Sequence, residues 1–110
     1  MKQGDIYLTR FDPAMGSEQK GIRPALIISG NGMNDALDIC IICPFSLKIK
    51  PYPGTMVIKK NRLNGFTKDS QLMTFQIRVV SKTRLIRRIG EVTKAEMGRT
   101  KLLLFDVLTY

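Results

Sequence analysis

The sequence predicts a mainly β domain, a small and partly open antiparallel barrel closed by one C-terminal helix. Six or seven short runs of apolar and β-branched residues are separated by turn signals at short spacing. One long helical pattern follows them at the end of the chain, and successive strands followed by a helix are typical of this architecture. The length of 110 residues gives room for one domain, residues 1–110, with a single core.

The first strand runs from Gly4 to Pro13, and a polar loop from Gly16 to Pro24 follows it. This loop carries a hydroxyl, a carboxylate, an amide and two cations, which a small core cannot bury cheaply. Because functional residues concentrate on loops held by a rigid scaffold, we expect the loop to be half of an active site. The second strand is predicted from Ala25 to Ser29, since proline can open a strand but does not lie centrally in one.

Residues 30–35 are turn-rich and predict a connector. The third strand, Asp38 to Cys43, is apolar on both faces and runs into Pro44 and Phe45, so that the hydroxyl of Ser46 emerges at its end. Cys40 and Cys43 are three residues apart in this strand and should point to opposite faces. Since the chain has no histidine, we interpret both cysteines as small buried hydrophobes and not as a redox or metal site.

Two further strands are predicted at residues 55–58 and 71–80, the second with a bend after Phe75. One helical turn over 81–85 and a strand over 86–92 come next. The last element is the only long helix. Its start is marked by the capping box of Thr93 and Glu96, and one face is predicted to carry Ala95, Met97, Lys101, Leu104 and Leu108.

The net charge is +9, from 18 Lys and Arg against nine Asp and Glu, and the pI is near 10. Such a charge attracts polyanions, so we expect a nucleic acid as partner. A membrane is disfavoured, because no apolar segment is long enough to span one and no basic amphipathic helix dominates. The N-terminus lacks the apolar region of a signal peptide, which predicts a cytoplasmic protein.

Several motifs together resemble the MazF/PemK/Kid toxins of bacterial toxin–antitoxin systems. They are Gly4-Asp5-Ile6-Tyr7, Asp12-Pro13, Gly16-Ser17-Glu18-Gln19, Gly21-Ile22-Arg23-Pro24, Asp69-Ser70, Gln76-Ile77-Arg78 and Ser81-Lys82-Thr83-Arg84-Leu85. The match spans roughly residues 3 to 85. The Gly-Asp-Ile-Tyr motif followed by Gly-x-Glu-Gln-x-Gly-x-Arg-Pro is specific, whereas Gly-x-Arg-Pro alone is weak.

The resemblance implies a small SH3-like antiparallel barrel of the MazF/PemK/CcdB type that forms a homodimer. It implies a sequence-specific endoribonuclease that cuts single-stranded RNA, often mRNA, without a metal or other cofactor. It also implies an antitoxin partner whose acidic, partly disordered tail covers the RNA groove.

Carried over residue by residue, the resemblance makes Arg23 the catalytic arginine and places Ser46 at the scissile phosphate. Ser17 stands where some relatives carry a histidine, and Gln19 and Gln76 match polar positions near the RNA. Phe75 is a departure. Many relatives have Asp or Glu immediately before the matched glutamine, so a mechanism with that carboxylate as general base does not transfer to this chain.

RNA cleavage by attack of the 2′-oxygen on the adjacent phosphorus leaves a 2′,3′-cyclic phosphate and a 5′-OH. Cations can supply the electrostatic stabilisation that this reaction needs. The planar, permanently charged fork of Arg23 suits a phosphate, although it could instead form an ion pair with Asp12 or Glu18. Ser46 could donate to a phosphoryl oxygen or cap a turn, with neither favoured. Glu18 is the nearest candidate base, but a structural role within the loop is at least as well supported.

The bases of a single strand are free to stack on aromatic side chains, and Tyr52 in a basic loop is a candidate platform. Lys48 and Lys50 in the same loop are candidate phosphate contacts, with a solvated basic face as the alternative. Arg78 is a further candidate contact, although an ion pair at the barrel edge is slightly favoured. A competing function is a non-catalytic member of the fold that binds RNA or a protein target such as gyrase.

Overall fold

The structure, a computed structural model, describes residues 1–11 and 21–109. In this part of the chain a curled antiparallel sheet is closed by a C-terminal helix, which confirms the predicted fold class. The strands are β1 (Asp5–Phe11), β2 (Gly21–Ile27), β3 (Ile39–Ser46), β4 (Met56–Ile58), β5 (Ser70–Leu72), β6 (Arg78–Ser81) and β7 (Leu85–Glu91); the helices are α1 (Asn31–Ala36) and α2 (Lys94–Thr109).

The sheet has the order β4-β5-β3-β2-β1-β7, and β6 pairs with β3 as well. Strand β3 therefore has β2 along one edge, and β6 and then β5 along the other. Its side chains alternate between two apolar clusters: Cys40 and Ile42 pack in one, and Cys43 and Phe45 in the other. Both strand edges and both faces of β3 are thus occupied, as its apolar sequence predicts.

The two cysteines are free and buried, one in each cluster, which confirms the prediction that they pack on opposite faces. Burial raises the pKa of the Cys43 thiol to about 12. Burial also raises the pKa of Cys40, against a smaller opposing effect of the Lys82 cation. Neutral thiols of this kind are poor nucleophiles and act as packing groups.

Strand β2 differs from its prediction because it begins at Gly21 and contains Pro24 as its fourth residue. Pro24 pairs with Leu8 of β1, whereas the pairing of β2 with β3 begins only at Ala25. At Pro24 the strand therefore has a neighbour on one side only, a position at which proline's missing N–H is tolerated. As a consequence, Arg23 belongs to a strand and not to a loop.

The predicted connector at residues 30–35 was wrong in part, because Asn31–Ala36 forms the short helix α1. A tertiary contact accounts for it. The buried Asn34 side chain donates to the carbonyl of Ser29 at 2.9 Å and accepts from the Ser29 hydroxyl at 2.5 Å. Buried polar groups need such partners, and here the helical turn brings them together.

Helix α2 begins with the predicted capping box. The Thr93 N–H donates to Glu96 Oε1 at 2.8 Å, and the Glu96 N–H donates to Thr93 Oγ1 at 3.1 Å. The predicted face was wrong at Ala95, Lys101 and Leu108, which are all exposed. Met97 is buried as predicted, and Leu104 packs on the apolar cluster together with Leu103. None of the described helices is long and apolar enough to cross a membrane.

Candidate functional site

A bulge between β5 and β6 lies at the centre of the candidate site. Leu72 pairs with Phe45 and Arg78 pairs with Ile42, so the five residues 73–77 lie opposite only Cys43 and Pro44 of β3. The excess residues form a 3-10 turn, Thr74–Gln76, that leaves the plane of the sheet. This is the bend predicted after Phe75, and bulges of this kind re-aim side chains next to active sites.

Pro44 explains why the bulge lies at this point. The Met73 N–H donates to the Pro44 carbonyl at 2.9 Å, so Pro44 faces the bulge. In a strand the N–H and C=O of one residue point to the same side. The backbone N–H that Pro44 lacks would therefore point towards residues 73–77. Because these residues bulge away from β3, no hydrogen bond of the sheet is lost at Pro44.

The buried amide of Gln71 fastens the loop 47–55 to the sheet. The Lys50 N–H donates to Gln71 Oε1 at 2.9 Å, while Gln71 Nε2 donates to the Lys50 carbonyl at 2.8 Å and to Thr55 Oγ1 at 2.7 Å. Thr55 Oγ1 in turn donates to the carbonyl of Tyr52 at 2.7 Å. Both halves of the loop are thus held by one side chain of β5.

The loop is also tied to the bulge. Thr74 Oγ1 donates to the Gly54 carbonyl at 2.6 Å. Gly54 has a φ of 74°, a left-handed conformation that favours glycine, and a Cβ there would meet Val107 of α2 at 3.8 Å. Helix α2 also contacts the 3-10 turn. The helix therefore supports both segments from below.

The loop and the bulge enclose a cleft of about 370 Å³, called here the basic cleft. Seven residues line it: Ser46, Lys48, Lys50, Tyr52, Met73, Phe75 and Gln76. Five of these seven residues were predicted from the sequence as site residues; Met73 and Phe75 were not. The rings of Tyr52 and Phe75 meet edge to face, with centroids 5.5 Å apart and planes at 81°.

Gln76 brings an unusual group to the basic cleft. Within the described residues its Oε1 is buried and accepts no hydrogen bond. Buried polar atoms without a partner are rare in folded proteins, and each calls for an explanation such as a water molecule, an ion or a functional role.

Ser46 is the last residue of β3, and its hydroxyl caps the turn that follows. It accepts from the Lys48 N–H at 3.1 Å and donates to the Lys48 carbonyl at 3.2 Å. Of the two roles left open by the sequence, the turn cap is thus present, and the same side chain lines the basic cleft. Its contact with a scissile phosphate stays a prediction.

Arg23 and Arg78 do not line the basic cleft. Arg23 is exposed on β2, opposite Thr9 of β1. Arg23 lies two residues before Ala25, and Ser46 lies two residues after Pro44, with which Ala25 pairs. Both side chains are therefore on the same face of the sheet, although β2 and β3 are not paired at these two residues. The Arg78 guanidinium lies over the ring of Phe11, 5.5 Å from its centre, an arrangement typical of a cation–π contact.

Three of the predicted residues lie outside the described residues: Ser17, Glu18 and Gln19. Conversely, sequence reasoning did not identify Gln71 and Thr74, and it noted Phe75 only as a departure from the resemblance. The partner groups of Gln71 are 16 to 21 residues away in the chain. A polar side chain such as that of Gln71 in a buried strand indicates that it has a hydrogen-bond partner, but the sequence does not show which residue is the partner.

The model of one protein family matches residues 2–107 of the chain, and that family is described as PemK-like, MazF-like toxin of type II toxin–antitoxin systems. Among curated relatives, endoribonuclease EndoA of Bacillus subtilis is 34% identical over 101 residues, 90% of this chain and 86% of that protein. Endoribonuclease MazF of Staphylococcus saprophyticus is 32% identical over 99 residues, 88% of this chain and 82% of that protein.

Solved structures of low sequence identity have the same fold. MazF from Deinococcus radiodurans is 22% identical, with a TM-score of 0.81 over 99% of this chain and 96% of that one. An endoribonuclease from mycobacterial species, solved in complex with its cognate antitoxin, is 21% identical, with a TM-score of 0.78 over 98% of this chain and 94% of that one.

The Gln71 contacts predict a stability effect. Gln71→Met keeps the size of the side chain but leaves the Lys50 backbone groups unpaired, so we expect the free energy of unfolding to fall by about 1–3 kcal/mol in urea denaturation. Gln76→Met is the matched control. It removes a buried acceptor that has no partner within the described residues, so we expect no loss of stability and at most a gain. Equal stability of Gln71→Met and the unmodified chain would show that these bonds do not hold the loop.

Proposed function

Because the chain belongs to the family of PemK-like, MazF-like toxins of type II toxin–antitoxin systems, we propose that it cuts single-stranded RNA, mRNA above all, at specific sequences and without a metal. The family and the enzyme class predicted from the sequence are confirmed, and the chain is an endoribonuclease like its relatives at 32–34% identity. We further propose that it acts as one domain in the cytoplasm, where mRNA is exposed.

The basic cleft is the observation that carries the proposal. It combines two cationic side chains, Lys48 and Lys50, with the aromatic ring of Tyr52 and the amide of Gln76. Single-stranded nucleic acid is bound by this combination, because cations follow the phosphates and aromatic rings stack on the splayed bases. The net charge of +9 favours encounter with such a polyanion.

We assign the phosphate chemistry to Arg23 and Ser46. This assignment is supported by their positions on the same face of β2 and β3 and by Ser46 lining the basic cleft. The Arg23 fork would stabilise charge on the phosphoryl oxygens. Ser46 would donate to one of these oxygens once its weak bond of 3.2 Å to the Lys48 carbonyl is released. Ser17 and Gln19 are proposed as RNA contacts and Glu18 as the candidate base; all three lie outside the described residues.

Arg23→Ala is expected to lower the rate of RNA cleavage about 100- to 1,000-fold, the loss typical of one electrostatic donor at a developing charge. Cleavage is followed on a long unstructured transcript in excess EDTA, and the new ends should be 2′,3′-cyclic phosphates and 5′-hydroxyls. Arg87→Ala is the control, since Arg87 is exposed on β7, across β1 and β2 from the basic cleft.

Three results would contradict this assignment. Arg23→Ala cutting as fast as the unmodified chain would remove Arg23 from the site. Loss of all cleavage in EDTA would contradict a metal-independent reaction. RNA that is bound by the unmodified chain but never cut would support the competing function of a non-catalytic binding protein.

Lys48 and Lys50 are proposed to contact phosphates. Their hydrogen bonds to Ser46 and Gln71 use backbone atoms, so alanine at both positions keeps the loop anchored. For single strands, each lost phosphate contact lowers the slope of log K against log salt by about 0.7, so the double variant should lose about 1.4.

The matched control for these lysines is Lys94→Ala with Lys101→Ala. Both control lysines are exposed on α2, away from the basic cleft. The probe is single-stranded RNA with 2′-O-methyl riboses, which blocks the attack of the 2′-oxygen. Equal salt slopes for the two double variants would mean that Lys48 and Lys50 only add to the general charge of the chain.

We propose an acidic antitoxin as the protein partner, occupying the same cationic surface as RNA. A neighbouring structure at 21% identity is titled as a complex with its cognate antitoxin, and another, at 22%, as MazE–MazF. An acidic segment that covers Lys48 and Lys50 would neutralise the field that attracts RNA.

A second copy of the chain is proposed to cover the outer face of α2. Leu102, Phe105 and Leu108 are 69%, 64% and 77% exposed and follow one another at a spacing of three residues. They continue a groove of about 320 Å³ lined by Thr55, Met56, Arg99, Leu102 and Leu103. An exposed apolar stripe marks an interaction site, and one shared by two identical helices is self-complementary around a two-fold axis.

Phe105→Asp is expected to convert a dimer to a monomer, measured by sedimentation equilibrium over a range of protein concentrations. A charge buried without a partner costs several kcal/mol, enough to lower the association constant by more than about 100-fold. Ile86→Asp on β7, where the side chain is 44% exposed, is the control. If the unmodified chain is a monomer and Phe105→Asp weakens only antitoxin binding, the stripe belongs to the antitoxin instead.

A further inference from the structure

Two large aromatic side chains of the basic cleft remain open to solvent. Tyr52 is 42% exposed and Phe75 is 47% exposed, although their rings contact each other. We propose that this pair is a binding site for one unpaired nucleobase, with Phe75 as a residue that stacks on the base. The proposal rests on the proposed function for its substrate class, single-stranded RNA.

The geometry of the pair leaves room for a third ring. In an edge-to-face contact, at 81° here, the ring that presents its edge has both of its own faces clear of its partner. A base that enters the basic cleft can therefore stack on one ring while its edge meets the other. Core packing does not account for the pair, because neither residue belongs to the two apolar clusters.

The two rings are held in place before any ligand arrives. The backbone of Tyr52 is fixed by Thr55, which is fixed by Gln71. The 3-10 turn that carries Phe75 is fixed by the bond from Thr74 to Gly54 and by the bond from the Gln76 N–H to the Met73 carbonyl at 2.9 Å. A preorganised platform loses little conformational entropy on binding, so most of the stacking energy appears as affinity.

Polar groups of the basic cleft fit the rest of a nucleotide. Gln76 lines the basic cleft, and a glutamine amide can both donate to and accept from the edge of a base. Lys48 and Lys50, on the facing loop, can contact the phosphates on either side. The face of the base, the edge of the base and the phosphates of one nucleotide thus each have a matching group among the described residues.

The test separates base contacts from phosphate contacts. Two probes of about ten residues are compared: single-stranded 2′-O-methyl RNA of mixed sequence, and an abasic oligomer of the same length and charge. Phe75→Ala should weaken binding of the base-bearing probe about 5- to 100-fold, the usual loss for one stacked base, and leave the abasic probe unchanged. Phe75→Leu should lose about as much affinity as Phe75→Ala, and Tyr52→Ala should also weaken binding of the base-bearing probe.

Phe75→Trp should restore binding and also report on it. The chain has no tryptophan, so the new indole would be the only one, and stacking on a base should quench its fluorescence. Ile86→Trp is the matched control, with a lone indole of similar exposure on the opposite edge of the sheet. We expect quenching by the base-bearing probe for Phe75→Trp only. Circular dichroism checks that each variant is folded.

The proposal would be overturned if Phe75→Ala weakened both probes equally, since the ring would then only shape the cleft. It would also be overturned if neither probe lost affinity, since the pair would then serve another ligand. Cleavage is measured separately on the long transcript. A chain that cuts RNA while Phe75→Ala binds normally retains the proposed function without this site; a chain that binds bases through Phe75 and never cuts retains the site without the function.

Discussion

Burial of β3 on both faces is the constraint on which the rest of the structure depends. The side chains of β3 alternate between two apolar clusters. A shift of β3 by one residue would move each of these side chains into the other cluster, so the register of β3 with its neighbours is fixed. The strands β5 and β6 must both follow this register along one edge, although the chain between them is three residues longer than the part of β3 it faces. The three extra residues form the bulge, and the basic cleft lies beside this bulge.

The basic cleft is built from hydrogen bonds between segments that are far apart in the chain. Gln71 joins β5 to the loop 47–55, and Thr74 joins that loop to the bulge. Helix α2 lies against both segments, and its outer face carries the apolar stripe proposed for a second copy. Contacts that support the cleft and the stripe proposed for a dimer are thus on the same helix, so a dimer formed through this stripe would link assembly to the shape of the cleft.

Local signals in the sequence predicted local structure well. The capping box of Thr93 and Glu96 and the alternation in β3 depend on residues within one element, and both are present. Tertiary contacts account for what was wrong or missed. Pro24 is tolerated inside β2 because β3 does not pair with β2 at that residue. The helix α1 forms because the Asn34 side chain hydrogen-bonds to Ser29. The partners of Gln71 are set by how strands and loops meet, which no single segment encodes. For the basic cleft, residue types typical of RNA binding pointed to Lys48, Lys50 and Tyr52, and the family resemblance pointed to Ser46 and Gln76. Phe75 was noted only as a departure from that resemblance, with no role assigned to its ring.

The residues proposed for base recognition and those proposed for the chemistry occupy different elements. Phe75, Gln76 and Tyr52 lie on the bulge and on its facing loop, whereas Arg23 lies on β2, outside the wall of the basic cleft. Only Ser46 belongs to both groups, since it ends β3 and lines the cleft. In this proposal the base contacts Tyr52 and Phe75, and a neighbouring phosphate contacts Ser46 and Arg23. Binding energy from the base can then serve to orient the phosphate, which is how contacts remote from the reacting atoms contribute to rate.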